Sequence, residues 1–168
     1  MGIWRHILGM TAPGLSVMAA LSVFFMPAML SSCSVPANSY ADYAELPSEG
    51  WKYGDTVWFV PTHPDSLCRG RLAVGIRHDN KFPYTSLWLE TTIEEVSGKR
   101  TDTLEINLAD SFGRWTGRGI GTSFQAIDTI ADSFLHYSGS RIGVRQIMKA
   151  DTLCGVAQVG IFFLPEQV

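Results

Sequence analysis

Residues 87–94 alternate strictly between two sets of side chains, and this period of two limits what the chain can fold into. One set is Leu87, Leu89, Thr91 and Ile93, and the other is Trp88, Glu90, Thr92 and Glu94. Successive side chains of a strand point to opposite faces of a sheet, so the segment predicts a half-buried β-strand. A turn at 97–99 leads into a second alternating run with Leu104, Ile106 and Leu108. Residues 87–108 therefore predict a β-hairpin.

Similar strand-like runs, separated by turn residues, recur along most of the chain. They lie at residues 56–60, 71–77, 142–148 and 156–163, and the last two predict a terminal hairpin around a turn at 149–151. Residues 124–137 alternate poorly and admit a strand, a turn and a strand. No amphipathic helix pattern accompanies these runs. We therefore expect an all-β fold in which two antiparallel sheets pack face to face as a jelly-roll-like β-sandwich.

The N-terminal segment has the layout of a lipoprotein signal peptide. Arg5 opens a short basic region, residues 15–30 are mostly apolar, and the run Leu30-Ser31-Ser32-Cys33 places small residues before a cysteine. This layout predicts cleavage after residue 32 and acylation of Cys33 by diacylglycerol and palmitate. A membrane-spanning anchor and an ordinary secretory signal are weaker alternatives. Prolines interrupt the apolar run, which falls short of the roughly 20 residues that a spanning helix needs.

Cleavage at this point predicts three segments. Residues 1–32 are the signal peptide, residues 33–50 are a lipidated N-terminus and tether, and residues 51–168 are the β-sandwich domain. Two or three acyl chains on Cys33 would hold the protein stably to one membrane leaflet. Because residues 34–36 carry no acidic side chain, we expect the periplasmic face of the outer membrane.

Cys68 and Cys154 form an even pair in an exported protein, where disulfides are favoured. Each cysteine lies one to three residues before a strand-like run, so adjacent strand ends could bring them together. A Cys68–Cys154 disulfide is one expectation, and two separate buried thiols are the alternative. Neither cysteine has a second Cys or His at ligand spacing, so the sequence predicts no metal site.

The sequence gives no indication of catalysis or of nucleic-acid binding. His63, His78 and His136 are scattered, no serine lies in a nucleophile elbow, and no lysine follows the glycines of 117–121 as in a phosphate-binding loop. The formal net charge is −3, and lysines and arginines form no basic run. We therefore expect neither enzyme activity nor a cofactor, a metal ion or a nucleic-acid partner.

Aromatic side chains provide the strongest indication of a binding surface. Trp88 falls on the polar face of its strand, and Tyr84 and Trp115 belong to loops. Exposed aromatic residues often mark binding. Asp79 and Asn80, at a strand end, join them in the candidate surface. The alternatives are that Trp88 lies under the loop 113–121 as part of the core and that Asp79 and Asn80 cap a local turn.

Two motifs carry a resemblance to a known family. They are Asn80-Lys81-Phe82-Pro83-Tyr84-Thr85-Ser86-Leu87 and the later Gly-x-Trp-x-Gly-x-Gly run at 113–119. With the segments 40–60 and 155–161, they resemble the gliding motility lipoprotein GldH family over nearly the whole chain after the signal peptide. The departures are Phe82 where a tyrosine is usual, Thr85 and Ser86 after the tyrosine, and the two cysteines.

The resemblance implies a cell-envelope lipoprotein associated with gliding motility or the linked protein-secretion machinery, with no catalytic residues to carry over. Its partners would be membrane lipid, through acylated Cys33, and envelope proteins of such an assembly. A carbohydrate-binding or peptidoglycan-binding sandwich is the alternative, because Trp88, Tyr84 and Trp115 could stack on sugar rings.

Overall fold

The computed structural model describes residues 39–61, 67–136 and 139–166. Within these ranges the chain forms eleven β-strands. They are β1 (Tyr40–Glu45), β2 (Trp51–Lys52), β3 (Val57–Phe59), β4 (Cys68–Asp79), β5 (Ser86–Glu95), β6 (Gly98–Asn107), β7 (Arg118–Ile120), β8 (Ser123–His136), β9 (Arg141–Gln146), β10 (Thr152–Leu153) and β11 (Val156–Pro165). The predicted signal peptide and Cys33 lie outside the described residues. In the described part, no helix has the length and apolarity that a bilayer crossing requires.

The strands form two main sheets, and every pairing is antiparallel. The first sheet has the order β1-β11-β4-β8-β7, and the second has the order β3-β9-β5-β6. The short strands β2 and β10 pair with each other. The two main sheets pack together, which confirms the predicted all-β sandwich.

The core lies between the sheets and is built from the inward face of each strand. The first sheet contributes the buried residues Leu72, Val74, Ile76, Val159, Ile161 and Phe163, and the second contributes Leu87, Leu89, Ile93, Ile142 and Val144. Burying one such side chain contributes about 1.5–3 kcal/mol. The alternation seen in the sequence thus becomes the inside and outside of the sandwich.

The predicted hairpin at 87–108 is confirmed. Strands β5 and β6 pair from Ser86 opposite Asn107 to Glu95 opposite Gly98, so only residues 96 and 97 form the turn. Gly98 has a φ of 144°, a backbone conformation that side chains disfavour.

The predicted terminal hairpin is wrong. Strand β9 pairs with β3 and β5 in the second sheet, whereas β11 pairs with β1 and β4 in the first. Residues 147–155 connect the two sheets, and within them β10 pairs with β2. Two neighbouring strand signals in a sandwich therefore do not establish pairing, because a short connection can cross between the sheets.

Residues 124–137 showed poor alternation because β8 is one long, irregular strand. It spans Ser123–His136 and pairs with β4. The register shifts near Leu72, where it faces Ala131. Such irregularities place extra residues between ladder pairs and break the two-residue period. The turn that the pattern admitted does not occur within residues 124–136, the part of this segment that the structure describes.

The predicted disulfide is not formed, because Cys68 and Cys154 lie at opposite ends of the sandwich. Both are free thiols. Cys68 opens β4. At the other end of β4, the Asp79 N–H donates to the carbonyl oxygen of Gly155, the residue after Cys154. Twelve residues of strand separate these ends by about 36 Å, against the roughly 7 Å limit for bridged Cα atoms. The prediction assumed that the two strands begin side by side. Because β4 and β11 are antiparallel, they begin at opposite ends of the sheet.

The predicted tether at 33–50 is also shorter than expected. Tyr40–Glu45 form β1, an edge strand that pairs with β11 from Tyr40 opposite Phe163 to Glu45 opposite Gln158. The Tyr40 ring stacks on the Phe163 ring, with 5.6 Å between the two ring centroids. The sandwich therefore begins within the segment that was expected to be tether.

Candidate functional site

The predicted surface residues Asp79, Asn80, Tyr84, Trp88 and Trp115 all lie toward one end of the sandwich. At this end β4 finishes at Asp79, where it pairs with Ser123, and β5 begins at Ser86, where it pairs with Asn107. The connections 80–85 and 108–117 therefore meet here. We call this the aromatic end.

Tyr84 and Trp88 contribute to one shallow apolar depression of about 430 Å³. Its lining residues are Tyr84, Trp88, Ile147, Met148 and Lys149, which we call the aromatic surface. Tyr84 is 40% exposed and Trp88 is 41% exposed. The structure thus leaves Trp88 open to solvent instead of placing it beneath the loop 113–121.

Backbone contacts hold the two halves of the aromatic surface together. The N–H of Ile147 donates to the carbonyl oxygen of Trp88 at 3.0 Å, which extends the β5–β9 pairing by one step. The N–H of Trp88 lies 3.3 Å from the Met148 sulfur. A tryptophan and a methionine sixty residues apart in sequence therefore share one surface.

Gln146 fixes the segment that carries Met148, and the sequence prediction missed it. Its side chain is fully buried. Its amide nitrogen donates to the carbonyl oxygens of Ala150 at 3.1 Å and Trp51 at 3.4 Å, and its oxygen accepts from the Met148 N–H at 2.8 Å. The signal in the sequence was a glutamine in phase with Ile142 and Val144 on an apolar face.

Replacing Gln146 by leucine is expected to lower the free energy of unfolding by about 1–3 kcal/mol, because buried backbone groups would lose their partners. The Met148 amide should also exchange its hydrogen faster, which hydrogen-exchange mass spectrometry would detect. Gln125→Leu is the matched control, since Gln125 is half-buried and accepts one 3.3 Å bond from Arg77. Equal losses of stability in both variants would contradict the role assigned to Gln146.

Trp115 lies beneath the aromatic end and does not line the depression. Its ring centroid is 4.7 Å from His78 and 6.0 Å from Phe124. His78 in turn contacts Phe82 at 5.7 Å, and Phe82 contacts Tyr84 at 5.7 Å. This chain of rings supports Tyr84 from below. Trp115, and not Trp88, is therefore the partly buried tryptophan that extends the core.

His78 is almost completely buried, at 1% exposure. Its Nδ1 lies 3.0 Å from the Asp79 carbonyl oxygen, which can only accept, so Nδ1 carries the proton. Its Nε2 is buried and has no hydrogen-bond partner among the described residues. Burial lowers the pKa of this imidazole, partly opposed by the Asp79 carbonyl and carboxylate. His78 is therefore neutral at pH 7.

Asp79 and Asn80 form the turn after β4. The Asp79 carboxylate accepts the backbone N–H of Lys81 at 2.8 Å, as in a side-chain-stabilised turn. The Asp79 N–H donates at 2.9 Å to the carbonyl oxygen of Gly155, whose φ is 86°. Asn80 is exposed. The structure thus gives Asp79 a local backbone role.

Ion pairs occupy the outer face of the second sheet beside the aromatic surface. Arg145 makes two hydrogen bonds with Glu90, at 2.7 and 3.0 Å, and Arg141 makes one with Glu94 at 2.6 Å. The hydrogen bond from Arg145 is the main reason why the pKa of Glu90 lies below its ordinary value. These pairs lie at the surface and are partly exposed, so each contributes modestly to stability. They form a charged but neutralised rim.

The remaining candidate chemistry is sparse. Burial raises the pKa of the Cys68 thiol, which keeps it protonated and weakly nucleophilic. No group of three potential metal ligands occurs among the residues that the structure describes.

The described structure defines an antiparallel β-sandwich that presents an exposed aromatic surface at one end. A family model described as GldH lipoprotein matches residues 38–162, and the chain belongs to this family. The family implies a lipid-anchored lipoprotein of the cell envelope.

A curated relative agrees with this membership. The gliding motility lipoprotein GldH homolog of Christiangramia forsetii (strain DSM 17595 / CGMCC 1.15422 / KT0803) is 33% identical over 107 residues. The match covers 61% of this chain and 64% of that protein. Its name associates the relative with gliding motility.

Proposed function

We propose that this protein is a non-catalytic envelope component, acylated at Cys33 on the periplasmic face of the outer membrane. It binds a protein partner of a gliding or secretion assembly through its aromatic surface. The observation that supports this most strongly is the exposure of Tyr84 and Trp88 around an apolar depression. The family and the name of the relative motivate the choice of assembly.

The composition of the aromatic surface favours a protein partner. Aromatic residues and methionine are enriched at protein interfaces, and tryptophan and tyrosine often contribute most of the binding energy. Gln146 holds the Met148 segment in place, so less conformational freedom would be lost on binding. The neutralised pair Arg145–Glu90 supplies a polar rim next to the apolar centre.

The lining residues favour a protein over a sugar. A sugar site needs several side chains that hydrogen-bond to hydroxyl groups, in addition to a ring for stacking. The depression is lined by two aromatic residues, two aliphatic or thioether residues and Lys149. Asp79 is engaged in its turn, and Trp115 stacks within the aromatic cluster.

Site-specific photo-crosslinking in whole cells would test the proposed function. A photoreactive amino acid at Tyr84 should form crosslinks to a defined envelope protein. The same group at Ile127, which is 54% exposed on the other sheet, should not. Trp88→Ala should reduce the crosslink from position 84 by about tenfold or more, whereas Trp58→Ala, at an equally exposed tryptophan, should leave it unchanged.

Other outcomes would redirect the proposal. Equal crosslinking from positions 84 and 127 would remove the aromatic surface from the interaction. If no protein is crosslinked but purified peptidoglycan retains the wild type and not Trp88→Ala, the partner is a glycan.

A further inference from the structure

The end of the sandwich opposite the aromatic end exposes aliphatic side chains. They are Val60 (60% exposed), Leu67 (70%), Val96 (91%), Leu135 (42%) and Leu164 (49%). We call this the aliphatic end. Exposed apolar residues that cluster on a protein surface often mark contact with another protein or with a membrane.

Strand pairing places these residues at the same end. Leu135 lies opposite Arg69, and Leu164 lies opposite Arg71. Both arginines are among the first four residues of β4, which begins directly after Leu67. Val60 follows β3 and lines a depression together with Tyr40. The β5–β6 turn that contains Val96 borders Phe134 of β8. The aliphatic end therefore combines residues from both sheets.

The two ends of the sandwich differ in chemistry. Most exposed apolar side chains at the aromatic end are aromatic, namely Tyr53, Tyr84, Trp88 and Phe112 with Ile120 beside them, whereas the aliphatic end exposes valine and leucine. At the aliphatic end Arg71 pairs with Asp132 and Arg100 with Asp102. Lys99 and Arg141 share Glu94, and Arg69 donates to the Ser133 hydroxyl. Because these cations already have partners within the domain, contact through the aliphatic side chains does not require an anionic partner.

The chain enters the sandwich at the aliphatic end. β1 begins at Tyr40, opposite Phe163, and Tyr40 contacts the His136 ring at 5.6 Å. Six peptide units join Cys33 to Ser39, and an extended chain covers at most about 3.5 Å per residue. An acylated Cys33 would therefore hold this end within about 21 Å of the lipid surface.

We propose that the aliphatic end rests on the bilayer, with Val96, Leu67 and Val60 in the interfacial region, and that the aromatic end faces away from the membrane. The inference rests on acylation of Cys33, which is part of the proposed function. Insertion of aliphatic side chains is favourable in proportion to the apolar area removed from water. A short tether also raises the effective concentration of the aliphatic end at the membrane surface.

Fluorescence quenching on vesicles would test this orientation, with the acylated mature protein in phosphatidylcholine vesicles containing a head-group nitroxide lipid. One sample carries a fluorophore on Val96→Cys in a Cys68→Ser, Cys154→Ser background. The other carries it on the native exposed Cys154 at the aromatic end, in a Cys68→Ser background. We expect quenching at position 96 to exceed quenching at position 154 severalfold, without anionic lipid. Equal quenching, or stronger quenching at 154, would overturn the proposal.

Two controls separate this inference from the proposed function. Cys33→Ala should no longer float with the vesicles, and mass spectrometry of the wild type should show the acylated residue. If wild-type Cys33 carries no lipid, the anchor is wrong, and the orientation proposed from it is overturned as well. Failure of the Tyr84 crosslinks would leave the quenching result unaffected.

A double variant tests whether the aliphatic side chains themselves insert. Leu67→Ser with Leu164→Ser should lower quenching at position 96, and unchanged quenching would count against insertion of this end.

Discussion

Replacement of Trp51 by alanine is expected to lower the free energy of unfolding by about 3–5 kcal/mol. The side chain is 1% exposed and belongs to the core between the sheets. Its Nε1–H donates to the carbonyl oxygen of Asp55 at 2.9 Å. Alanine would leave a large cavity and an unpaired carbonyl. The loss should also weaken β2, whose only pairing partner among the described strands is β10.

Urea unfolding followed by circular dichroism would measure this change in the purified mature protein. Trp58→Ala is the matched control, because Trp58 is 38% exposed and its ring lies 4.2 Å from the Arg141 guanidinium on the outer face. We expect the control to lose about 1 kcal/mol or less. If the two variants lost similar unfolding free energy, Trp51 would not be the buried core residue that the structure shows.

The stability of the domain is expected to fall as the pH drops below about 6.5, the ordinary histidine value, because of His78. Burial holds the pKa of His78 below that value in the folded protein. The unfolded chain therefore binds a proton first as the pH falls. The stability contributed by neutral His78 is complete above about pH 6.5 and is lost from there down to the folded pKa, with a slope of at most about 1.4 kcal/mol per pH unit.

Unfolding free energies at pH 7.5 and pH 5.5 for the wild type and His78→Phe would test this expectation. Phenylalanine suits the site because His78 already contacts Phe82, Phe124 and Trp115. The variant should lose part of the acid sensitivity while keeping most of its stability at neutral pH. Acid sensitivity of equal size in the two proteins would assign the effect to other groups.

Local patterns predicted the parts of the fold that depend on local geometry. The alternation at 87–94 identified β5, and the turn residues at 97–99 identified its pairing with β6, because a tight turn forces neighbouring strands together. The same reasoning failed for β9 and β11. Their connection contains a second short strand and crosses to the other sheet, and no local property of 149–151 distinguishes a crossing from a hairpin.

The candidate site was predictable only in part, for a related reason. Exposure of Trp88 follows from its place in the alternation, and the structure agrees. Its proximity to Met148 depends on which strand lies beside β5, which is a long-range property. The disulfide expectation failed similarly, because the positions of Cys68 and Cys154 depend on the directions of β4 and β11.

The pairing of the first strand with the last has a consequence for the order in which the domain can be completed. Strand β1 is an edge strand whose neighbour is β11, at the other end of the chain. Closing so long a loop is entropically costly, and topologies rich in such distant pairings fold slowly. During export, β1 has no partner until the final strand has emerged. Strand β1 is thus paired only after the whole chain has been delivered. A prematurely terminated product would lack β11, the strand that lies between β1 and β4.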